Sequence, residues 1–484
     1  MNRTIRRTSL GFLVLFLALL ININYIQAFP GDRLTESSGN HRVVLDEYSR
    51  KRGSILVDGE PVASSSRTEG ALQYLRKYQQ PELYGQITGY YSSIYGTNQL
   101  EKSENAILAG TDESLFVRRV IDMVTDKPPR GGDIELTLDP VAQQVAYEGL
   151  GDQVGAVAAI DPETGAVLAL ASTPTYDPNR LSTHDTKAQD EAWSDLTEDE
   201  SNPMNNRATQ FTYPPGSTFK LVTAATALEE GNYDAESSLQ APASLDLPLT
   251  TNQLNNWQRD YCLPGQSTVS LTEALETSCN TAFAQLGLDL GADKLNQQAR
   301  AFGFGDSYLG ALGTASSEFP ADADRPQTAL SAIGQFDVRA TPLQIAMVTA
   351  AIANQGEVME PYVVESRTDG DGRVIDETRP ESLGRAMESG NADILRDMMV
   401  SVVENGTGEP AAIDGVEVGG KTGTAQTTED QPPYAWFTSF ASDGNQEVAV
   451  AVVIEETNVG RDEIAGGKLA APIAKDVMET VLGR

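Results

Sequence analysis

Tyr213-Pro-Pro-Gly-Ser-Thr-Phe-Lys220 is a two-proline turn that runs directly into a helix-forming stretch, Thr218 to Glu230, which stops at Gly231. The prolines and glycine make a rigid lead-in, and the pattern predicts Ser217 at or near a helix N-terminus. Lys220 follows three residues later, so the two side chains share one helix face. That arrangement suits a serine nucleophile with a lysine base, provided the lysine is neutral. Desolvation or a nearby cation would make it so. The helix start also offers amide donors and a positive dipole to an oxyanion. A bare S-x-x-K is a common pattern, however, and equally describes an N-cap serine followed by a surface lysine.

Two later stretches bear on that choice. Ser278-Cys279-Asn280 follows a short helix in which Ser270 and Glu273 form a capping box and Leu271, Ala274 and Leu275 give the apolar side. It falls in a break before a second helix, Thr281–Leu290. A hydroxyl and an amide two apart can relay a proton and hold a substrate amide. They are also ordinary turn formers. Gly419-Gly-Lys421-Thr422-Gly423-Thr424-Ala-Gln426 follows Val416-Glu-Val418 and reads as a strand. Lysine and threonine hydroxyls there can grip a carboxylate, and glycine lets another backbone approach. Gly415 and Gly420 also satisfy phosphate-loop spacing with Lys421 and Thr422, but strand and turn flank them instead of strand, loop and helix. S-x-x-K, then S-x-N, then K-T-G, on helix start, loop and strand, is the serine β-lactamase and penicillin-binding-protein signature.

Composition agrees with lysine chemistry. The 484 residues include only two histidines, His41 and His184, and two cysteines, Cys262 and Cys279. No Cys/His zinc site of ordinary spacing can be built from them, and a Ser-His-Asp triad lacks a well-placed histidine. No metal and no cofactor are expected. The net charge of −34 offers no basic stripe to nucleic acid.

Residues 1–8 carry Arg3, Arg6 and Arg7 and no acid, and an apolar run begins at Leu10. Residues 9–29 reach spanning length, roughly 20 residues, and read as an uncleaved transmembrane anchor. A cleaved signal peptide is the rival, but Ile26 is not small where a cleavage site wants a small residue. Positive-inside orientation makes residues 1–8 a cytoplasmic tail and puts 30–484 outside. Residues 30–150 are expected to form a small, mostly β module, with Tyr84–Tyr95 as short strands and turns. Asp139 caps a helix running to Leu150. Ala156–Ile160 and Val167–Ser172 form a hairpin, and Val448–Ile454 is a strand covered on both faces. Gln189–Asn202 reads as an exposed acidic loop and Ala470–Leu482 as a closing helix. Residues 151–484 are thus expected to be one α/β (α+β) domain whose sheet the chain leaves and re-enters.

The sequence resembles the class B penicillin-binding proteins, monofunctional peptidoglycan D,D-transpeptidases. Beyond the three motifs, Arg52-Gly53-Ser54-Ile55-Leu56 resembles the family's N-terminal R-G-x-I. Asn206-Arg207-Ala208, Ala340-Thr341-Pro342-Leu343-Gln344 and Ala435-Trp436-Phe437 also match. The likeness covers nearly the whole chain past the anchor, and the compact N-terminal module looks most like actinobacterial penicillin-binding protein A. It departs at Phe336-Asp337, where glycine and glutamate are more usual.

The resemblance implies an antiparallel sheet flanked by helices, with 30–150 as a dimerisation or pedestal module. It implies Ser217 as the acylated nucleophile, Lys220 as its base, Ser278 as proton relay and Asn280 as the group orienting the donor peptide. Lys421, Thr422, Gly423 and Thr424 then bind substrate, with the Ser217 and Thr424 amides as oxyanion hole. Implied partners are stem peptides, lipid-linked precursor, β-lactams, the membrane and a glycan polymerase of the shape, elongation or division class. A membrane-anchored serine β-lactamase and a non-catalytic β-lactam sensor or scaffold are the alternatives. In an oxidising compartment Cys262 and Cys279 would pair, in a loop worth about 3 kcal/mol, against two free thiols otherwise.

Overall fold

The computed structural model describes residues 3–28, 41–115, 130–256, 260–426 and 431–484. Arg3–Ala28 is one helix, and its Ile5–Asn24 stretch is long and apolar enough to cross a membrane. None of that stretch is buried against the rest of the chain. Phe12, Leu13 and Phe16 are exposed, which in water would be a large uncompensated apolar surface.

A five-stranded antiparallel sheet carries the C-terminal body, in the order Glu417–Ala425, Tyr434–Ser442, Glu447–Glu456, Val154–Ile160, Val167–Thr173. The apolar run Val448–Ile454 lies in its middle strand. Ala449, Ala451 and Val453 join the core that holds Pro342–Ala353 and Lys220–Glu229. Val448, Val450, Val452 and Ile454 join the opposite core, against Ala142, Ala146 and the final helix Gly466–Val481. Both faces are covered, so alternation is lost and every position is apolar.

A second sheet has six strands, in the order Val374–Glu377, Val364–Thr368, Ile134–Leu136, Ile55–Val57, Glu60–Arg67, Tyr74–Tyr78. Its first two strands come from far downstream. The helix Pro140–Leu150, capped by Asp139 as expected, packs on Val167–Thr173 and on Gly466–Val481. A cut at residue 150 thus leaves the five-stranded sheet whole, while the six-stranded sheet draws two strands and the Pro140–Leu150 helix its packing from across it. The module is also less β than expected, for Pro81–Thr88, Gln99–Ser103 and Asn105–Leu108 are helices.

Two segments differ from the sequence-based expectation. Tyr84–Thr88 belongs to the helix Pro81–Thr88, with proline in its first turn. Gly85, which reads as turn punctuation, serves close packing instead: a Cβ there would meet the Tyr176 carbonyl oxygen at 2.9 Å. Most of Gln189–Asn202 is the helix Thr186–Glu198, whose first turn is capped by the Asp185 carboxylate. Gln189, Ala192 and Leu196 bury one stripe of it, and Trp193 stacks on Tyr95 with 4.2 Å between ring centres. A stripe this narrow is easily hidden among surrounding acids.

Inside the six-stranded module lies a buried charge cluster. Arg52 Nε and Arg76 Nε each donate to the Glu101 carboxylate at 2.6 Å, and Tyr78 Oη donates at 3.0 Å. Arg52 also donates to the Glu101 carbonyl at 2.7 Å and to Asn105 Oδ1 at 2.6 Å, and Arg76 donates to the Gly53 carbonyl at 2.5 Å. Burial alone would raise the Glu101 carboxyl, but Arg76 and Arg52 reverse this and hold it below the usual range. The R-G-x-I segment supplies both the guanidinium and a glycine on which a Cβ would strike the Gly132 carbonyl oxygen at 1.7 Å.

Candidate active site

Gly216–Phe219 is a 3-10 turn that passes into the helix Lys220–Glu229. Ser217 lies inside this turn. The cap positions are Pro215 and Phe219, neither with a side-chain capping bond, so Ser217 is not an N-cap. The turn is seated tightly. Gly216 takes φ 54, and its amide donates to the Gly334 carbonyl at 2.9 Å. A Cβ on Gly216 would meet the Thr424 carbonyl oxygen at 3.0 Å, and one on Gly334 would meet the Gly216 oxygen at 2.0 Å. Trp436 Nε1 donates to the Pro214 carbonyl at 3.0 Å. Ser217 is thereby fixed beside Thr424, at the end of the Glu417–Ala425 strand. Phe336, near this turn, takes φ 60, a conformation glycine adopts without penalty.

Lys220 is completely buried, which excludes the surface-lysine reading. Its Nζ donates to the Ser278 carbonyl at 2.7 Å and to Asn280 Oδ1 at 2.9 Å, and lies 3.3 Å from Ser278 Oγ. Burial, then the Lys421 charge, pushes its pKa well below the ordinary lysine value. Lys421 is equally buried, and burial brings its pKa down to about 7. Lys421 Nζ donates to the Thr422 carbonyl at 3.0 Å and lies 3.5 Å from Thr422 Oγ1.

Ser278 adopts φ 54 in the break between Leu271–Glu276 and Asn280–Leu290. A non-glycine residue held left-handed is a local cost, commonly found at functional sites. Asn280 Nδ2 donates to the Asn255 carbonyl at 3.2 Å, which turns its Oδ1 toward Lys220. The buried Asn256 side chain accepts from the Thr281 amide at 3.0 Å and donates to the Pro242 and Asp260 carbonyls, each at 3.1 Å. Asn255 and Asn256 are absent from the sequence-based site. As one polar pair among many, they carry no signal until the chain brings them here.

Cys262 and Cys279 form a disulfide, with Cα atoms 5.5 Å apart. Cys279 is the buried middle residue of S-C-N, so the bond ties that break to the 260–262 segment. C262S is expected to lower stability by about 3 kcal/mol in urea unfolding under non-reducing conditions.

Lys421-Thr-Gly lies within a continuous strand, with Lys421 opposite Thr438 and Gly423 opposite Trp436. The phosphate-loop alternative is thereby removed. A Cβ on Gly423 would meet Trp436 Cβ at 2.8 Å, Thr218 Cγ2 at 3.0 Å and the Pro215 carbonyl oxygen at 3.1 Å. The glycine is what lets the strand and the Ser217 turn touch. One site therefore gathers residues from all three motifs, with two buried lysines within electrostatic reach of each other.

Comparison with known proteins agrees with this geometry. Residues 155–479 match the penicillin binding protein transpeptidase domain, and residues 52–134 match the penicillin binding protein A dimerisation domain. The chain is 44% identical to the peptidoglycan D,D-transpeptidase PbpA of Mycolicibacterium smegmatis, across 100% of this chain and 99% of the relative. It is 41% identical to PbpA of Mycobacterium tuberculosis over the same shares. The ceftriaxone acyl-enzyme of penicillin-binding protein A from M. tuberculosis superposes with a TM-score of 0.86, at 41% identity, over 90% of this chain and 100% of that one. Its penicillin G acyl-enzyme superposes with a TM-score of 0.84, at 40% identity and the same coverage. The chain belongs to the class B penicillin-binding protein transpeptidases.

Proposed function

We propose that this chain cross-links peptidoglycan as a membrane-anchored D,D-transpeptidase, with Ser217 as nucleophile and Lys220 as base. The observation that carries the reading is Lys220: a fully buried amine, disfavoured as a cation by burial and by Lys421, held against Ser278 and Asn280 one turn from a serine. A neutral amine can take the Ser217 proton as the oxygen attacks the penultimate D-alanine carbonyl. The tetrahedral oxyanion meets the Ser217 and Thr424 amides. The C–N bond then breaks, and D-alanine leaves with a proton delivered through Ser278. Asn280 holds the donor peptide amide. An amine from a neighbouring stem peptide attacks the acyl ester, loses a proton to the base, and Ser217 recovers its hydroxyl. Lys421, Thr422 and Thr424 take the terminal carboxylate, while Gly423 leaves room for the donor backbone. A β-lactam enters the same path, with its ring C–N bond opening in place of the peptide bond.

Arg3, Arg6 and Arg7 before the apolar helix favour a cytoplasmic N-terminus and an extracytoplasmic catalytic body. A disulfide beside the site suits that compartment. A glycan polymerase of the shape, elongation or division class is the partner such chemistry calls for, because cross-linking consumes newly polymerised strands made from lipid-linked precursor.

The test is mass spectrometry of the detergent-solubilised protein after benzylpenicillin. One adduct is expected, on the peptide containing Ser217, decaying slowly, and S217A is expected to form none. Rapid turnover of free penicilloate would establish a β-lactamase instead. An adduct persisting in S217A would remove the nucleophile assignment.

A further inference from the structure

The helix Ser389–Asn405 ends at Gly406, and the next residues lead back toward the site. Gly406 is held close: a Cβ there would meet the Glu276 carbonyl oxygen at 2.7 Å. The Thr407 amide donates to that same Glu276 carbonyl at 3.2 Å, and the Gly408 amide donates to the Val402 carbonyl at 2.9 Å. Glu276 is the last residue of the helix before Ser278. On its other side Thr407 meets the strand that carries Lys421. Its Oγ1 lies 2.8 Å from Thr422 Oγ1. Gly467 completes the enclosure, since a Cβ there would meet the Thr407 carbonyl oxygen at 2.8 Å and Thr422 Cγ2 at 3.4 Å.

The backbone bonds already tie this loop to its neighbours. The Thr407 side chain is exposed, and water could satisfy its hydroxyl. It bonds instead to the hydroxyl of Thr422, a nearly buried group placed above in the carboxylate subsite. A hydroxyl has one proton and two lone pairs. In the free site the Thr422 proton can rest on Thr407. When a carboxylate arrives, that proton must turn outward, because a carboxylate only accepts. The Lys421 ammonium near Thr422 Oγ1 is a donor and cannot receive the proton. Thr407 can reverse its role, donating to Thr422 Oγ1 while Thr422 donates to the ligand. The exchange needs only rotation of two O–H bonds.

We propose that Thr407 is a positioning residue of the carboxylate subsite: it aims the Thr422 hydroxyl proton at the terminal carboxylate of a stem peptide or β-lactam. The proposal rests on the functional reading above and extends it, giving the site a further means of preferring a free acid over an ester or amide at that end.

The test compares benzylpenicillin with its methyl ester on the full-length chain, measuring the second-order acylation constant of each by intact mass. T407V keeps the side-chain shape and loses the hydroxyl. It is expected to lower the acid-to-ester ratio about tenfold, the scale of one hydrogen bond to a charged group. T407S is expected to keep the ratio within about threefold of wild type, because the donor is retained. T422V serves as the reference and is expected to lower the ratio at least as much. The proposal is overturned if T407V leaves the ratio at the wild-type value, if it slows acid and ester by one factor, or if T407S loses as much as T407V. If T422V also leaves the ratio unmoved, the carboxylate-subsite reading itself is wrong and the proposal falls with it. If T422V lowers the ratio and T407V does not, only the role of Thr407 is lost.

Discussion

K220M is expected to lower the acylation constant for benzylpenicillin by about 10³- to 10⁴-fold, near the top of the range for removing a positioned general base. Methionine has similar length and suits an apolar setting, so the buried site stays filled. It cannot accept the Ser217 proton. K220R tests the other reading of the lysine, as a fixed positive charge. A guanidinium stays protonated at every relevant pH. A base role predicts that K220R is as inactive as K220M, and an electrostatic role predicts substantial recovery. Urea unfolding of K220M is expected to show a loss of about 1–3 kcal/mol, because the Ser278 carbonyl and Asn280 Oδ1 lose their donor, so acylation is compared on folded protein. Full acylation by K220M would leave the site without an identified base.

The two lysines also set the sign of the pH dependence. Acylation needs Lys220 neutral, so the rate rises as pH climbs through its lowered pKa. Carboxylate capture needs Lys421 cationic, so the rate falls as pH rises through about 7 in the free enzyme. The acylation constant for the acid should therefore be bell-shaped, and the falling limb should be weak or absent for the methyl ester. Identical profiles for acid and ester would detach Lys421 from the carboxylate.

Much of this site is legible in the sequence because its parts are local. Ser217 and Lys220 are one turn apart, Ser278 and Asn280 are two residues apart, and Lys421 to Thr424 are continuous. The middle strand is legible because Val448–Ile454 is apolar throughout, and Asp139 announces its helix by chemistry that works over three residues. What escapes the sequence is what long-range contact decides. Nothing local in Val364–Thr368 says that it will pair with Ile134–Leu136, for either edge would satisfy a strand of that composition. Ser278 is left-handed, against its own preference, in the break between two helices and next to a disulfide-bonded cysteine. Gly85 looks in sequence like turn punctuation, yet it marks a close approach inside a regular helix. Asn255, Asn256 and Thr407 gain their roles only from what the fold sets opposite them.

The buried cluster around Glu101 predicts the largest change in stability. E101Q removes one negative charge and leaves the buried Arg52 and Arg76 facing a neutral amide. Removing one partner of a buried ion pair costs about 3–5 kcal/mol, because the charge left behind is unsolvated. Here two guanidiniums share one carboxylate, so the upper part of that range is expected, read as a shift of the first transition in urea unfolding. The pH dependence has a definite sign. The folded Glu101 carboxyl sits below its ordinary value, so its contribution is complete above the unfolded pKa, about 4.3, and is lost as pH falls toward the folded one. Wild type should lose stability over that acid window, and E101Q should lose less there because its charge is already gone. Acylation of Ser217 in folded E101Q should remain close to wild type, since the cluster lies in the module of the six-stranded sheet, away from the Ser217 turn. A cost under about 1 kcal/mol would mean that water or a rearranged neighbour solvates the guanidiniums, and the cluster would then be a tolerated burden instead of the module's internal tie.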